Sequence, residues 1–182
     1  MRVQDVLNQP LIGLVGRSGS GKTHLMARLL PMLKAQGLTI STIKHTHHRV
    51  DIDKPGKDSF IHRQAGAHEV MLATPERWVL QHTPANNSTP ELPDLLLHMA
   101  AVDLILVEGF HATVPVTIEV YRPEVGKAPL FQTHTTIAAV ATTQKSCVPS
   151  GLVALDLEDI ASIATYIVGA ARPLHIARRG TT

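Results

Sequence analysis

Cysteine, aromatic residues and long apolar runs are scarce in this sequence of 182 residues. The single cysteine, Cys147, excludes a disulfide within the chain and a zinc site built from several thiolates, and it is typical of a reducing compartment. Aromatic residues make up only 3% of the chain, so the core has to be aliphatic. No apolar run approaches the roughly 20 residues that cross a bilayer, and residues 1–10 lack the apolar segment of a signal peptide. We therefore expect a soluble cytoplasmic protein.

An excess of charge of one sign is also missing. The 17 basic and 15 acidic residues give a formal net charge of +2, which does not favour a nucleic-acid partner. Hydrophobic residues make up 44% of the chain and charged residues 18%, a composition that can bury a core. The length fits one domain, so we predict a single domain over residues 1–182 with flexible ends at 1–9 and 173–182.

Short apolar runs alternate with helical patterns along the chain. The run at 11–16 predicts a strand buried on both faces, the next segment predicts a helix, and "LTISTIKHT" predicts a second strand. Strand, helix and strand within about 35 residues are typical of a βαβ unit with parallel strands. Further strands are predicted at "VDLILVEGF", "TIAAVATT" and, toward a sheet edge, "VPVTIEVYR". We also predict a helix at "KDSFIHRQAGA" capped by Asp58 or Ser59, a hairpin at "EVMLATPERWVLQHT", and a last helix with Asp156 and Glu158 in its first turn.

The most informative motif is "GRSGSGKT" at 16–23, which matches G-x-x-x-x-G-K-[S/T] in full. Its glycines allow the backbone to fold around an anion, so that successive N–H groups point at a phosphate. The candidate nucleotide-binding residues are Ser18, Gly19, Ser20, Gly21, Lys22 and Thr23. Lys22 is expected between the β- and γ-phosphates and Thr23 on Mg²⁺. The motif predicts an α/β fold of the P-loop NTPase type, with a mostly parallel sheet flanked by helices and an antiparallel hairpin.

A second metal ligand and a base-binding residue are expected at the carboxyl ends of the strands, where open α/β sheets bind ligands. Glu108 ends the apolar run "VDLILVEGF" and is the candidate second ligand for Mg²⁺, whereas Asp103 opens the same run and faces the opposite edge. The chain has no N-K-x-D motif for guanine. Thr142, at the end of a buried run, and Arg77, in the hairpin turn, are the candidates for contacts with the base.

The segment "KHTHHRVDIDKPGKDS" at 44–59 has three interpretations: a histidine metal site, a solvated polar loop, or a loop that faces phosphates. We favour the third, because the segment follows the second strand of the βαβ unit and so emerges at the same edge as the P-loop. The spacing of its histidines matches no common zinc module. The candidate catalytic residues are Lys44, Asp51 and Asp53, and His45 is a candidate for binding the cofactor.

Taken in order, "GRSGSGKT", "IKHTHHRVDIDKPGKDS", "AGA" and "LVEGF" resemble the MobB family of molybdopterin-guanine dinucleotide biosynthesis proteins. The resemblance implies a homodimeric P-loop protein that binds GTP and Mg²⁺, hydrolyses GTP weakly, and assists a partner guanylyltransferase that joins GMP to molybdopterin. It also implies that Gly19–Thr23 hold the phosphates and that Glu108 lies on the metal side. His24 and His111 stand where many family members have a hydroxyl residue and a lysine, respectively.

Two other functions stay open at this point. A small-molecule kinase would use the same P-loop to pass the γ-phosphoryl group to an acceptor, although the loop at 82–93 lacks the arginines typical of a kinase lid. A binding module would use the P-loop only to stabilise the fold.

Overall fold

Parallel strands form most of the structure, a computed structural model that describes residues 8–46, 50, 52–84 and 90–174. Within these ranges, seven strands pair in one sheet and two more pair as a hairpin. The strands are β1 (Pro10–Val15), β2 (Ile40–Lys44), β3 (Glu69–Ala73), β4 (Trp78–His82), β5 (Leu104–Glu108), β6 (Thr117–Tyr121), β7 (Ile137–Thr142), β8 (Val153–Asp156) and β9 (Arg172–Pro173). The helices are α1 (Lys22–Ala35), α2 (Asp58–Gln64), α3 (Leu92–Leu97) and α4 (Ile160–Ala170), with 3-10 helices at Pro123–Val125 and Lys145–Cys147.

The large sheet has the order β2-β5-β1-β6-β7-β8, and neighbouring strands on this path are parallel. The short strand β9 pairs antiparallel with the start of β1. The parallel arrangement puts the carboxyl ends of β1, β2, β5 and β6 at one edge of the sheet, where the loops that follow them meet. The prediction of a P-loop NTPase-like α/β fold with an antiparallel hairpin is confirmed.

Aliphatic side chains cover both faces of this sheet. On one face, α1 and α4 pack against the strands through residues at helical spacing, namely Leu25, Leu29, Leu33, Ile160, Ile163 and Ile167. On the other face, α3 contributes Leu92 and Leu96 to a cluster with Leu11, Ile105 and Val107. Burial from both sides explains why β1 and β5 are continuous apolar runs rather than alternating ones.

Strand β6 was predicted to lie toward an edge, and this prediction is wrong. It lies between β1 and β7, and the residues from Thr117 to Val120 are buried. The alternation that suggested an edge comes from Glu119, whose carboxylate is fully buried and accepts hydrogen bonds from the backbone N–H groups of Leu130 and Phe131 at 2.7 and 2.8 Å. A polar residue on a central strand is tolerated because its oxygens are satisfied by the chain that follows.

The last helix begins later than predicted. Asp156 ends β8, a strand that the sequence reading missed, and α4 begins at Ile160. Asp159 caps the helix by accepting a hydrogen bond from the backbone N–H of Ser162 at 3.0 Å. Asp156 and Glu158 therefore precede the helix rather than occupying its first turn. Pro173, assigned to a flexible end, pairs with Pro10 in the sheet.

The chain separates into two compact units, residues up to His45 together with those from Leu92 onward, and residues 46–91. The second unit contains α2 and the hairpin of β3 and β4, both as predicted. Lys57 is the N-cap of α2, so the predicted caps are wrong, and the Ser59 hydroxyl donates to Asp53 at 3.1 Å instead. The single domain stays a prediction. Among the described residues, no helix is long and apolar enough to cross a membrane.

Candidate functional site

The P-loop connects the end of β1 to the start of α1. Gly16, Gly19 and Gly21 have φ angles of 147°, 88° and 96°, in the left-handed region that favours glycine. At Gly16, a Cβ atom would lie 2.5 Å from the carbonyl oxygen of Val120, so that only glycine lets the loop approach β6. Gly21 is the N-cap of α1, and the loop therefore ends at the positive end of a 14-residue helix, as an anion site requires.

Lys22 turns its side chain back into the loop. Its Nζ donates to the carbonyl oxygens of Gly16 at 2.6 Å and Arg17 at 3.1 Å. Burial lowers the pKa of Lys22 below its usual value of 10.5; Glu108 opposes this effect, and the ammonium groups of Lys44 and Lys127 add to it. The ammonium is thus held inside the loop.

The other predicted P-loop residues lie in the same turn. Ser18, Gly19 and Thr23 are exposed, whereas Ser20 is buried. Among the described residues, the Ser20 Oγ atom is a buried polar atom without a hydrogen-bond partner. Such an orphan hydroxyl is costly in a finished core and is common where a ligand supplies the partner. The loop is therefore built to donate hydrogen bonds to an anion.

Glu108 ends β5, the strand adjacent to β1, and pairs in register with Leu14 of β1 and Lys44 of β2. Glu108 is only 8% exposed, and its Oε2 atom lies 3.3 Å from Lys44 Nζ. Asp103, at the opposite end of β5, binds the backbone N–H and hydroxyl of Thr39 at 2.8 and 2.6 Å. The structure thus places Glu108, Lys44 and Lys22 together at one edge and Asp103 away from them.

A tight turn follows Glu108. Gly109 and Phe110 both have positive φ angles, 89° and 50°, and Phe110 is a non-glycine residue in this strained region. The backbone N–H of His45 donates to the Glu108 carbonyl at 2.8 Å, and its ring stacks on Phe110 with centroids 4.5 Å apart. His45 therefore contributes to the shape of this turn through its packing. Its role in binding a cofactor stays a prediction.

The segment that follows β6 lies against the P-loop. We call residues Arg122–Phe131, which follow β6, the strap. Lys127 Nζ donates to the Ser18 carbonyl at 3.0 Å, and Arg17 Nε donates to the Ala128 carbonyl at 3.2 Å. Val125 Cγ1 lies 3.9 Å from the position that a Cβ atom of Gly19 would take. The strap thus forms one wall of the P-loop.

Two carboxylates hold the strap in place. Glu119, buried in β6, accepts from the amides of Leu130 and Phe131 at its far end. Burial raises the pKa of the Glu119 carboxyl, and the two amide donors oppose that rise. Glu124 accepts from the Thr143 hydroxyl at 2.9 Å, which joins the start of the strap to the end of β7. The strap is fixed at both ends by charge-assisted hydrogen bonds.

A second cation of the strap lies beside the start of α1. Arg122 Nε would be 3.4 Å from a Cβ atom at Gly21, and its Nη2 atom lies 3.5 Å from Glu158 Oε1. Glu158 also binds Arg28 of α1, Oε2 to Nη1, at 2.7 Å. The two guanidinium groups hold the pKa of Glu158 below its usual value, with the Arg28 hydrogen bond as the largest cause. Arg122 is thus oriented at the P-loop by a carboxylate from the segment before α4.

The candidates for base recognition are not brought together. Thr142 is fully buried, and its Oγ1 atom accepts from the backbone N–H of Gln144 at 3.2 Å and lies 4.0 Å from Cys147 Sγ. This hydroxyl is used within the fold. Arg77 is an exposed residue of the hairpin turn, where its backbone binds Thr74. Neither geometry identifies a base contact, and both assignments stay predictions.

Asp53 is the central carboxylate of the second unit. It accepts from Gln81 Nε2 at 2.6 Å, Ser59 Oγ at 3.1 Å and Arg63 Nε at 3.1 Å. These contacts, led by the Gln81 hydrogen bond, lower the pKa of Asp53 below its usual value. The carboxylate therefore ties the loop after β2 to α2 and β4. Asp51 lies outside the described residues, and the catalytic roles of both aspartates stay predictions.

The donors at this edge of the sheet suit Mg²⁺ better than a softer metal. The hydroxyl of Thr23 and the carboxylate of Glu108 are hard oxygen ligands, which Mg²⁺ prefers. Thr23 is exposed at the start of α1, so its hydroxyl is open to a ligand. Within the part of the chain that the structure describes, no three His, Cys, Asp or Glu side chains are grouped to hold a metal without further ligands. A Mg²⁺ ion here would need a bound phosphate to complete its shell.

A doubly flanked parallel sheet, a P-loop at the end of β1 and a carboxylate on the adjacent strand define the class of P-loop nucleotide-binding proteins. Residues 11–143 match the family model for MobB, molybdopterin guanine dinucleotide synthesis protein B. The chain belongs to the MobB family.

Curated relatives agree with this assignment, and solved structures agree with the fold. The chain is 39% identical over 170 residues to a molybdopterin-guanine dinucleotide biosynthesis adapter protein of Haemophilus influenzae, covering 93% of each chain. It is 38% identical over 166 residues to the protein of the same name from Escherichia coli, covering 87% of this chain and 91% of the relative. The fold is similar to a crystal structure of molybdopterin-guanine biosynthesis protein B, with a TM-score of 0.69 at 23% identity over 88% of this chain and 99% of that one. It is also similar to Bacillus subtilis MobB, with a TM-score of 0.70 at 22% identity over 90% and 98%.

Sequence reasoning missed the strap. Lys127, Arg122 and Arg17 contact or flank the P-loop, yet only Arg17 belongs to its motif. The signal available was the basic character of "RPEVGKAP", a loop that follows a strand in the sheet and so emerges at the carboxyl edge.

Proposed function

We propose that this protein binds GTP at its P-loop and serves as an adapter in the biosynthesis of molybdopterin guanine dinucleotide. The observation that carries the proposal is the position of Lys22, whose ammonium lies inside a glycine loop at a helix N-terminus and within electrostatic reach of Glu108. The names of the two bacterial relatives support the pathway.

The loop supplies the chemistry for binding a triphosphate. Backbone N–H groups of residues 18–23 and the Lys22 ammonium bind the phosphate oxygens, and the Lys22 contacts with the Gly16 and Arg17 carbonyls are exchanged for contacts with the ligand. Thr23 and Glu108 would hold Mg²⁺, which supplies positive charge to the β- and γ-phosphates. Lys44, paired with Glu108, fixes the carboxylate beside the loop.

Slow hydrolysis suits an adapter that uses GTP as a bound ligand. The catalytic roles of Asp51 and Asp53, and the roles of His45, Arg77 and Thr142 in binding the nucleotide, stay predictions from the sequence. The partner we propose is the cytoplasmic guanylyltransferase that joins GMP to molybdopterin. The relatives are named as adapters, which does not favour the kinase alternative.

We also propose that the protein is a homodimer. In the hairpin, Met71, Leu72 and Trp78 are more than half exposed, and within the described residues β3 and β4 pair only with each other. Exposed apolar strands of this kind are typical of interfaces. Strand β6 is buried in the large sheet and is not available as an interface. Sedimentation velocity tests the dimer, and a monomer at micromolar concentration would contradict it.

Equilibrium dialysis with GTP and Mg²⁺ tests the nucleotide site. Lys22→Ala should weaken GTP binding about 100-fold or more, because an ammonium that contacts two phosphates is lost. Lys34→Ala, an exposed lysine in the last turn of the same helix, is the matched control and should bind GTP like the wild type. Equal affinity in Lys22→Ala and Lys34→Ala would reject the proposal.

A further inference from the structure

Three lysines from three separate elements converge on the P-loop. Lys22 begins α1, Lys44 ends β2, and Lys127 lies in the strap. The charges of Lys44 and Lys127 both lower the pKa of Lys22. Among the described residues, the carboxylate that forms an ion pair with one of these lysines is Glu108, whose Oε2 atom lies 3.3 Å from Lys44 Nζ. The positive charges of Lys22 and Lys127 are therefore left to a ligand with more than one negative charge.

Lys127 is held at the mouth of the loop by its surroundings. Its Nζ donates one hydrogen bond, to the Ser18 carbonyl at 3.0 Å, and an ammonium has three donors. Its side chain is exposed, so the other donors can turn toward a ligand. The strap on which it lies is fixed by Glu119 at one end and Glu124 at the other. A lysine on a fixed segment loses less freedom on binding than one on a free loop.

We propose that Lys127 is a second phosphate-binding lysine, which contacts the terminal phosphate of bound GTP from the strap. The proposal rests on the GTP site proposed above and adds to it a residue from outside the P-loop motif. The terminal phosphate is the partner because Lys127 binds the Ser18 carbonyl, next in sequence to the Arg17 carbonyl that Lys22 binds, and the Lys22 ammonium serves the β- and γ-phosphates. Arg122, beside Gly21, lies nearer the helix end.

A purely structural role for Lys127 makes a different prediction. If its only task were to tie the strap to Ser18, its removal would loosen the loop and weaken GTP and GDP binding by the same factor. A contact with the terminal phosphate instead affects GTP more than GDP. The ratio of the two affinities therefore separates the roles.

The experiment measures dissociation constants for GTP and GDP, with Mg²⁺, in the wild type and in Lys127→Met. We expect GTP binding to weaken about tenfold and GDP binding less than about threefold, because one exposed charge-assisted hydrogen bond is lost from the triphosphate alone. Lys127→Arg should recover most of the GTP affinity. Lys34→Met is the matched control for the loss of one exposed lysine and should leave both constants unchanged.

The outcomes are distinguishable. Equal weakening of GTP and GDP, or no weakening of either, overturns the role of Lys127 while Lys22→Ala still abolishes binding. If the wild type binds GTP no better than Lys22→Ala does, the nucleotide site itself is rejected and the role of Lys127 with it. Thermal unfolding of each variant shows whether a weaker constant reflects a less stable protein.

Discussion

The turn after β5 offers a sharp test of the geometry at the site, through Gly109→Ala. A Cβ atom at Gly109 would lie 2.8 Å from His45 Cβ and 3.2 Å from the His45 carbonyl oxygen. Carbon atoms pack at about 3.5–4.0 Å, so the added Cβ atom would overlap His45 Cβ by about 1 Å, and its contact with the carbonyl oxygen would also be tight. The φ angle of 89° adds a second penalty, because an alanine there is in the left-handed region.

The two penalties can be separated with a matched glycine. Gly37, after α1, has a φ angle of 86°, and a Cβ atom there would meet nothing within 4 Å. Gly37→Ala should therefore cost only the left-handed penalty of about 1–2 kcal/mol. Gly109→Ala carries the same penalty plus about 1–3 kcal/mol of overpacking, for a total of about 2–5 kcal/mol.

Urea unfolding followed by circular dichroism measures both free energies of unfolding, and GTP binding gives a second readout. Gly109→Ala should also weaken GTP binding, since it displaces the turn that positions Glu108, whereas Gly37→Ala should not. If the two variants are destabilised equally, the contact between His45 and the turn is not as the structure describes. If Gly109→Ala is folded and binds GTP like the wild type, the position of Glu108 does not affect nucleotide binding.

Two further predictions concern charged groups. Burial lowers the pKa of Lys22, and bound phosphate favours the ammonium; GTP affinity should therefore be full below the free protein's lowered pKa and fall as pH rises above it, starting below pH 10.5. Lys22→Arg should lack this fall, and a wild-type affinity that is constant up to pH 10.5 would refute the lowered pKa. Asp53→Asn should slow GTP hydrolysis more than it weakens GTP binding, because the carboxylate orders the loop after β2 through Ser59, Arg63 and Gln81. Turnover equal to that of the wild type would assign Asp53 to stability alone.

The sequence predicted those parts of the candidate site that lie within one short segment of the chain. The P-loop is contiguous, and its glycines, Lys22 and Thr23 lie where one strand connects to one helix. Glu108 could be found because an apolar run and the parallel topology fix its edge of the sheet. The parallel direction of the strands was predicted from the βαβ pattern at the start of the chain.

The sequence indicates a basic loop at the carboxyl edge, but not which residues of the strap contact the P-loop, because those contacts join distant segments. Lys127 reaches Ser18 across 109 positions of sequence, and no local pattern encodes that approach. The position of β6 was predicted wrongly for a related reason. A glutamate on a strand usually faces solvent, whereas Glu119 is buried and accepts hydrogen bonds from the backbone N–H groups of Leu130 and Phe131. The carboxylate of Asp53 likewise looks available in the sequence, whereas three side chains of its own unit bind it.

The most direct test of the central claim is a crystal structure of the protein with GTP and Mg²⁺. We expect the triphosphate on the amides of residues 18–23, with Lys22 Nζ moved from the Gly16 carbonyl to the phosphates and Glu108 on the metal side. A P-loop that stays vacant at saturating GTP, with Lys22 still bound to Gly16 and Arg17, would contradict the account.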